Sequence, residues 1–393
     1  MKTKGFMTLA VLLFLSTFAV SFSTAKAAAS SVKPKVSAGN LSGYALKSDG
    51  TVWAWGNNGS GRLGDGTTTN STVPIQVSGL DSVVQIAAGG SHCLALKSDG
   101  TVWAWGANTT GALGNGTKKA SKSPEQVLYL NSVIAIAAND NSSMALKSDG
   151  TVWAWGSNAY KKLGIGTTSD SQVSPVKVHN LNNIVSISMG FTHSLALQND
   201  ETVWAWGAKG NNDYTLGDGT KNGQAEPIIV SNLDQVAFIN AGTNSSMVIK
   251  QDGSLWQWGA GYANGIRGNV PTQFPKQMSY VDAVKYVATY HDRATFIKPD
   301  GSIYSIGAVT EGFLGTGQTS GDNQYIPYPV VLSDLATPLK DMTSLAMEDL
   351  FTLAIKKDGT VWAWGHNTSG QLGDGTKTNK NYAVQISGLN LLE

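Results

Sequence analysis

The chain contains 393 residues with a formal net charge of +1, and charged side chains make up only 14% of it. This low and balanced charge gives no electrostatic basis for binding nucleic acid or an anionic membrane surface. The single cysteine, Cys93, cannot form an internal disulfide, so stability must come from packing. With 45 glycines, the composition is typical of a turn-rich all-β protein.

The first residues have the pattern of a secretion signal. Two lysines give a positive start, Met7–Phe22 is an apolar run, and Ala25–Ala27 offers small residues for cleavage. A membrane anchor is the alternative, but the apolar stretch is short and polar residues interrupt it. Cleavage here removes three lysines and leaves 25 basic and 27 acidic residues. We expect no membrane insertion of the chain after this cleavage. We predict a signal peptide at 1–27, an N-terminal segment at 28–36, and a secreted chain that is extracellular or associated with the cell surface.

One tetrapeptide repeats along the rest of the chain. All twelve tryptophans belong to it, as Trp-Ala-Trp-Gly or, once, Trp-Gln-Trp-Gly. A weaker Tyr-Ser-Ile-Gly copy at 304–307 fills the remaining gap, and equivalent positions are 48 to 58 residues apart. Such a period is the signature of a repeat architecture in which each unit packs against its neighbours. The tryptophan tetrapeptides lie at 53–56, 103–106, 153–156, 204–207, 256–259 and 362–365.

The second unit shows how each repeat folds. Val83–Ala87, Cys93–Lys97 and Thr101–Trp105 are short runs with strand composition, bounded by turn residues. The Asp-Gly pair at 99–100 predicts a tight hairpin, because both central residues of such a turn need positive φ. Six of the seven units keep this pair, whereas the fourth has Asp-Glu at 200–201, where we expect a loosened turn.

A fourth strand follows the polar loop after each tetrapeptide, and it often begins with proline. Proline cannot donate to a strand ladder, so this strand is predicted to be the outer edge of its sheet. Each unit is therefore a four-stranded antiparallel blade. The prolines are Pro74, Pro124, Pro175, Pro227, Pro275 and Pro329.

Side-chain alternation predicts how the blades associate. Trp103 and Trp105 point to one face of their strand and Val102 and Ala104 to the other, so we expect a bulky face on each sheet to insert into a small-residue face of the next. An open array would leave one tryptophan face in water, which predicts a closed all-β, seven-bladed β-propeller. The C-terminal residues 390–393 are expected to supply or share the first blade's inner strand. The predicted units lie near 37–87, 88–137, 138–188, 189–240, 241–288, 289–346 and 347–393.

Three submotifs recur in a fixed order across 37–393. They are Ala-Gly-x-x-His-x-Leu-Ala-Leu, then Asp-Gly-Thr-Val-Trp-Ala-Trp-Gly, then Gly-x-Leu-Gly-Asp-Gly-Thr, and Ala88–Thr117 shows all three with little change. This pattern resembles the regulator of chromosome condensation repeat, whose members form seven-bladed propellers. Units five and six depart most, because Ile-Arg-Gly-Asn at 266–269 replaces the glycine-rich signature and Tyr-Ser-Ile at 304–306 replaces the tryptophans.

The resemblance implies two different functions. Nuclear eukaryotic members are exchange factors for a small GTPase, whereas secreted bacterial propellers of related repeats include protein inhibitors of β-lactamases. The predicted signal peptide conflicts with the nuclear role, since the GTPase and its nucleotide are absent outside the cell. We therefore interpret the chain as a secreted bacterial propeller, distantly related to those inhibitors, and transfer no exchange or catalytic residue from the family.

The turn between the first and second strands varies from unit to unit, whereas the Asp-Gly hairpins do not. In an up-and-down blade these turns share a face with the long loop after each tetrapeptide, and this variable face is the candidate binding surface. Its residue types are common among interface hot spots, although drift at exposed turns is the alternative explanation. The candidate turn residues are Leu41, Phe191, Tyr290, His291, Asp292, Arg293, Asp349, Leu350 and Phe351, and the candidate loop residues are Tyr160, Tyr214 and Tyr262.

The sequence gives little support for catalysis. Its five histidines have no metal-type spacing, and neither a nucleophile elbow nor a phosphate-binding loop is present. His92 and His193 occupy equivalent turn positions, where we expect a turn-stabilising hydrogen bond. The Asp-Gly-Thr loops at 65–67, 218–220 and 374–376 lack the carboxylate density of a calcium loop and are interpreted as turns. We expect no catalytic residue, cofactor or metal.

Three functions remain open. The first is a non-enzymatic protein-binding propeller, monomeric, that binds an extracellular or cell-surface protein and inhibits or regulates an extracellular or cell-wall enzyme. The second is an enzyme acting on a glycan or peptidoglycan through His291 and Asp292. The third is a structural protein of the cell surface, although no wall-anchoring signal is visible in the sequence.

Overall fold

A computed structural model describes residues 32–167, 169–208, 214–260, 270–348 and 350–393. These residues form seven four-stranded antiparallel sheets and one 3-10 turn at Ala159–Lys161. Within every sheet the four strands are consecutive in sequence and lie side by side in that order. The predicted all-β, seven-bladed propeller of four-stranded blades is confirmed.

Each blade runs from an inner strand at the central channel to an outer strand at the rim. Blades 1 to 4 contain β1 (Lys35–Gly39), β2 (Ser42–Leu46), β3 (Val52–Gly56), β4 (Ser71–Gln76), β5 (Val83–Ala88), β6 (His92–Lys97), β7 (Val102–Gly106), β8 (Ser121–Gln126), β9 (Val133–Asn139), β10 (Ser142–Lys147), β11 (Val152–Ser157), β12 (Ser171–Lys177), β13 (Ile184–Met189), β14 (His193–Gln198), β15 (Val203–Gly207) and β16 (Gln224–Ile229). Blades 5 to 7 contain β17 (Val236–Ala241), β18 (Ser245–Lys250), β19 (Leu255–Gly259), β20 (Thr272–Gln277), β21 (Tyr286–Tyr290), β22 (Arg293–Ile297), β23 (Ile303–Gly307), β24 (Gln324–Pro329), β25 (Met342–Glu348), β26 (Phe351–Lys356), β27 (Thr360–Gly365) and β28 (Lys380–Asn390).

Tryptophans join neighbouring blades. The second tryptophan of each described tetrapeptide is fully buried, and Trp105 of blade 2 packs against Tyr44, Ala54 and Leu63 of blade 1. Its indole nitrogen donates a 2.8 Å hydrogen bond to the carbonyl of Arg62 in the loop of blade 1. Each such ring removes roughly 150–250 Å² from water, which stabilises the contact by about 4–6 kcal/mol before entropic costs.

The expected division into a bulky face and a small-residue face is wrong in one respect. Cys93 pairs with Trp105 and Ala95 pairs with Trp103 across the ladder, so the small residues share a face with the tryptophans. Leucine and valine occupy the opposite face. Small side chains are needed beside each indole because cross-strand neighbours lie only about 4.5–5.5 Å apart. Cys93 is thus a buried packing residue, as the sequence predicts.

Steric contact with the next blade explains why a glycine follows the leucine in the Leu-Gly signature. Gly64 has φ +70°, and a Cβ there would lie 2.8 Å from Nε1 of Trp105 in the next blade. Gly114 meets Trp155 at the same distance. Only glycine combines the left-handed conformation with this close approach.

The seven inner strands line a central cavity of about 600 Å³. Each of these described strands has no neighbouring strand on its inner edge. Some backbone amides on that edge donate instead to side chains of the preceding blade. Ser37 Oγ accepts a 2.9 Å hydrogen bond from the Ala88 amide, and Ser188 Oγ accepts one of 2.9 Å from the Ala241 amide. These bonds hold adjacent blades at a fixed separation where the channel passes.

The fourth strand of each blade is the outer edge, as its prolines predict. However, the prolines lie within these strands and not at their start, as Pro74 does in β4. An outer strand tolerates an internal proline because the side of the chain that lacks the N–H faces away from the ladder.

The turn at Asp200–Glu201 is not loosened. The Glu201 amide bonds to the carbonyl of Gln198 at 2.9 Å, and the Thr202 amide bonds to Asp200 Oδ1 at 3.0 Å, as in the Asp-Gly copies. Glu201 reaches this geometry by adopting φ +73°. The surrounding ladder imposes the turn despite the local cost of a left-handed non-glycine residue.

The ring closes by packing and by a short C-terminal contact. Strand β1 is formed by the N-terminal part of the propeller, so the expectation that the C terminus supplies the first inner strand is wrong. The C-terminal residues do share its lower end, because the Leu391 carbonyl accepts a 2.8 Å hydrogen bond from the Ser48 amide, as Ser82 does from Ser98 in blade 2. Trp55 also donates to the carbonyl of Gln371 in blade 7 at 2.9 Å.

The closure contact predicts a difference between two adjacent leucines. Leu391 is fully buried between blades 7 and 1, whereas Leu392 is 53% exposed. We expect Leu391→Ala to lower the free energy of unfolding by about 2–5 kcal/mol through lost burial and a residual cavity. Leu392→Ala should change it by about 0.5 kcal/mol or less. Denaturant titration of both variants measures this, and equal effects would show that closure does not depend on the C terminus.

Candidate protein-binding face

The propeller has two chemically different faces. On the upper face, the turn between the first and second strands of a blade contacts the long loop between its third and fourth strands, as where the Asn57 amide donates to the Leu41 carbonyl at 2.8 Å. The same bond joins Ala107 to Ser91, and Ala308 to Asp292. The lower face carries the Asp-Gly hairpins and the segments that connect blades. The predicted sharing of one face by turns and long loops is confirmed.

The lower face repeats one arrangement. In the Asp-Gly hairpin of blade 2, Asp99 accepts hydrogen bonds from the Thr101 amide at 2.9 Å and hydroxyl at 2.7 Å. The hydroxyl bond is the main cause that lowers the pKa of Asp99. Lys97 lies over the ring of Trp103, with Nζ 5.7 Å from the centroid. Equivalent bonds recur in blades 1, 3 and 7, so the side chains of these hairpins stabilise the fold.

The upper face brings several predicted residues to the surface. His291 is exposed at the turn of blade 6, where it adopts φ +46° and packs edge-on against Tyr290, with centroids 5.0 Å apart. Others are partly exposed on turns or loops of different blades, whereas Asp349 and Tyr262 lie outside the described residues. The partly exposed residues are Leu41, Tyr160, Phe191, Tyr214, Asp292 and Leu350.

Three predicted contact residues are instead buried. Phe351 is 1% exposed and packs with Val36 and Ala38 of blade 1, so it belongs to the core. Tyr290 is buried in the wall of the central cavity. Arg293 is also buried, with its guanidinium carbon 4.5 Å from the centroid of the Phe313 ring. Each of these residues belongs to a strand adjoining the turn, and the strand register directs its side chain between blades.

A cluster around Lys162 occupies the upper face of blades 3 and 4. Lys162 is fully buried, its Nζ donates to the Phe191 carbonyl at 3.1 Å, and it lies 5.8 Å from the centroid of the Phe191 ring. Tyr160 packs beside Phe191 with centroids 6.2 Å apart. Burial lowers the pKa of Lys162 to about 8, while the carboxylates of Asp140 and Glu348 act in the opposite direction. The partly exposed Tyr160 and Phe191 thus cover a buried cation.

Sequence reasoning missed Lys162, although a signal for it was present. Lys162 occupies the variable position before Leu-Gly, where its backbone carbonyl accepts the indole hydrogen bond of Trp206 in the next blade at 2.9 Å. The carbonyls at this position in blades 1, 2, 4 and 7 accept the same bond, whereas the indole N–H of Trp364, which follows the Phe313 copy, has no hydrogen-bond partner among the described residues. The carbonyl is fixed by this bond and the side chain is free to differ. Comparison of this position among the repeats shows a variable set that lies mostly buried beneath the upper turns: Arg62, Ala112, Lys162, Thr215, Phe313 and Gln371.

His92 and His193 connect blades below the upper surface. Nε2 of His92 lies 2.8 Å from Oγ of Ser143, and Nε2 of His193 lies 2.7 Å from Oγ of Ser246, each in the following blade. Both rings are buried, and burial lowers the pKa of His92 to about 4 and that of His193 to about 3. The expected structural hydrogen bond is present, but it joins two blades instead of stabilising a single turn.

The Asp-Gly-Thr loops have the expected turn geometry. The Asp65 carboxylate accepts hydrogen bonds from the Thr67 amide at 3.0 Å, the Thr67 hydroxyl at 2.7 Å and the Asn58 amide group at 3.0 Å. Asp374 makes the corresponding bonds with Thr376 and Asn367. These oxygens are engaged within their own loops. Across the described ranges, no group of three or more His, Cys, Asp or Glu side chains is placed to hold a metal ion.

The buried histidines predict a pH dependence of stability. In the unfolded chain a histidine binds a proton below its usual pKa of about 6.5, whereas the folded chain resists protonation until about pH 4. Stability is therefore complete above pH 6.5 and decreases as the pH falls toward 4. We expect His92→Gln and His193→Gln to reduce this loss between pH 7 and 4 by on the order of 2–3 kcal/mol each. Denaturant titrations at both pH values measure it, and unchanged losses in the variants would contradict it.

Phe191 and Phe351, which the sequence analysis assigned to one surface, differ in burial, and this difference predicts different effects on stability. We expect Phe351→Ala to cost about 3–5 kcal/mol of folding free energy, because it opens a cavity between blades 7 and 1. Phe191→Ala should cost only about 1 kcal/mol, because its ring is partly exposed. Thermal and denaturant unfolding of the two variants compares them. Similar costs would show that Phe191 is as much a core residue as Phe351.

Comparison with known proteins agrees with this architecture. The sequence matches the RCC1-like domain over residues 19–286 and the regulator of chromosome condensation (RCC1) repeat over residues 349–371. It is 30% identical to the human E3 ubiquitin-protein ligase HERC2 over 215 residues, which are 52% of this chain and 4% of that protein. It is 27% identical to the ultraviolet-B receptor UVR8 of Arabidopsis thaliana over 216 residues, 54% of this chain and 48% of that protein. The chain thus spans about half or less of these curated relatives.

Solved structures share the fold. Prp20p of Saccharomyces cerevisiae superposes with a TM-score of 0.72 at 23% identity, covering 86% of this chain and 85% of that one. Human WBSCR16 superposes with a TM-score of 0.75 at 19% identity, covering 86% of this chain and 94% of that one. At these identities the likeness concerns the fold alone. Because the RCC1-like domain match extends over more than half of the sequence, the chain belongs to the RCC1-like domain family.

Proposed function

We propose that this chain is a secreted, non-enzymatic propeller that binds an extracellular or cell-surface protein through its upper face and regulates or inhibits that partner. The observation that carries the proposal is the contrast between the two faces. The lower hairpins repeat one Asp-Thr hydrogen-bond pattern, whereas the upper turns carry different side chains in every blade. Turns that vary beside hairpins that do not, on a scaffold that fixes the backbone of both, are the pattern of a recognition surface.

Two upper-face groups have the chemistry of a protein contact. Tyr160 and Phe191 form a partly exposed aromatic pair over Lys162, and His291 projects from a left-handed turn beside Tyr290. Aromatic side chains contribute large contact areas at low entropic cost and dominate many interface hot spots. The corresponding turns of blades 1 and 3 also hold a residue at positive φ, so the scaffold sets this backbone geometry and the side chain it presents can differ. These residues are Leu41 and Asp140.

The family supports a protein partner without naming it. Prp20p, which shares the fold, has been characterised for its binding to Gsp1p and histones. The leader-like N terminus directs our proposal to partners outside the cell. Because the motifs also resemble those of secreted propellers that inhibit β-lactamases, we propose an extracellular or cell-wall enzyme as the partner class.

Affinity capture tests the proposal. The propeller, residues 28–393, is immobilised and exposed to secreted and surface proteins of its own source, beside a variant with Tyr160→Ser, Phe191→Ser and His291→Ser. All three changes lie on the upper face and spare the core, so we expect the variant to fold and to lose at least about 90% of the retained partner, in line with hot-spot substitution.

A matched control removes an aromatic residue from the opposite face. Tyr129 is 79% exposed in the segment that joins blades 2 and 3 on the lower face, and Tyr129→Ser should retain the partner fully. Loss of the partner in this control, or its retention by the triple variant, would contradict the upper-face assignment. If no protein is retained, hydrolysis of glycan or peptidoglycan that is lost on changing His291 and Asp292 would support the enzymatic alternative.

A further inference from the structure

The lower end of the central channel is divided into a basic half and an apolar half. The division is set by the residues that begin the inner strands, which lie at equivalent or adjacent positions of the seven blades. Blades 6, 7 and 1 contribute polar or basic residues, and blades 2 to 5 contribute small or aliphatic ones. The polar set is Lys285, Thr343, Lys33 and Lys35, which all line the cavity, and the apolar set is Val84, Ile134, Val185 and Ala237, of which Val185 lines it.

The three lysines lie close to one end of the cavity. Lys33, Lys35 and Lys285 all line it, and strands β21 and β1 flank β25 on either side, so the lysines lie on both sides of blade 7. Lys33 and Lys285 are exposed and Lys35 is half-buried. This arrangement concentrates positive charge at one side of a concave opening, where field focusing is strongest.

These lysines differ from the other basic residues of the lower face. Lys97 and Lys298 form ion pairs with Asp81 at 2.6 Å and with Asp282 at 3.1 Å, and each also lies over an aromatic ring. In the described ranges of the chain, no salt bridge includes Lys33, Lys35 or Lys285. Like charges placed together without a carboxylate in ion-pair distance repel one another, and an external anion would relieve this repulsion.

The apolar half is unusually accessible. Ile134 is 54% exposed and Val185 is 53% exposed, on the inner strands of neighbouring blades 3 and 4. Blades 3 and 4 lie across the ring from blade 7 and its flanking lysines, so the two sides together complement a ligand that carries both apolar and anionic groups. A nucleic-acid backbone would supply the anions but would leave the aliphatic side chains without a partner.

We propose that this lower mouth binds an acidic peptide segment, which places its carboxylates against Lys33, Lys35 and Lys285 and its apolar side chains against Ile134 and Val185. The site lies on the face opposite the proposed regulatory surface and is independent of it. Carboxylate–ammonium hydrogen bonds would provide specificity, and burial of the aliphatic pair would provide affinity.

Fluorescence anisotropy with a labelled Gly-Leu-Glu-Glu-Leu-Gly peptide tests the proposal. We expect saturable binding that weakens with salt, and at least about tenfold weaker binding of the Gln-Gln counterpart. Variants K33Q/K285Q and I134S/V185S should each weaken binding by about tenfold, which corresponds to loss of one good contact. The first pair changes only exposed lysines and so avoids the half-buried Lys35.

The control variant K118Q/K377Q removes the same charge from exposed residues of the long loops between the third and fourth strands of blades 2 and 7, on the opposite face. It should bind the peptide as the parent protein does, and melting curves of all variants should agree within a few degrees. Three outcomes would overturn the proposal: no preference for Glu over Gln, an equal loss in the control, or no binding. A single-stranded oligonucleotide that binds as tightly as the peptide would also overturn it, because the apolar half would then have no role. Upper-face partner capture should be unchanged in K33Q/K285Q, which separates this site from the proposed function.

Discussion

The structure depends on one interaction, the insertion of a tryptophan from six of the seven blades into the neighbouring blade, with Ile306 in its place in blade 6. The indole of Trp105 is buried against blade 1 and its N–H bonds to the Arg62 carbonyl of that blade, and Trp155 and Ala112 repeat the contact. A buried indole N–H left without a partner costs about 1–3 kcal/mol, more than a satisfied one contributes. The contact therefore fixes both the separation of the blades and the path of the upper loop. The small residues opposite each indole and the glycine of Leu-Gly both follow from the room that the ring requires.

This dependence on a backbone carbonyl explains why the upper face can vary. The loop residue that accepts the indole bond contributes only its main chain, so its side chain can be Arg62, Ala112 or Lys162 without changing the scaffold. The lower hairpins have no such freedom, because the Asp and Thr side chains themselves form the turn bonds. The hairpins that carry structural side-chain bonds and the turns that vary thus lie on opposite faces, which suits a recognition surface on a repeat scaffold.

The candidate site was only partly predictable for a reason of register. Residue type identified Phe191 and His291 correctly as accessible, but it also selected Phe351, which is core. Phe351 begins β26, at the position that His92 holds in β6, and both side chains contact the following blade. The sequence does not distinguish the last residue of the turn from the first residue of the strand that follows it. A shift of one position along the chain moves a side chain from an exposed to a buried environment. Whether an aromatic residue near a turn is a contact or a core residue is decided by that shift.

The sequence by itself determined the class, the number of blades and the strand order within them. These features follow from local rules: the period of the tryptophan pairs, the φ demand of Asp-Gly and the missing donor of proline. The tertiary structure alone decided how the ring closes at Leu391, why His92 bonds to Ser143, and that Lys162 is buried beneath Phe191. These contacts join residues of different blades, and no local preference encodes which side chains a closed ring brings together.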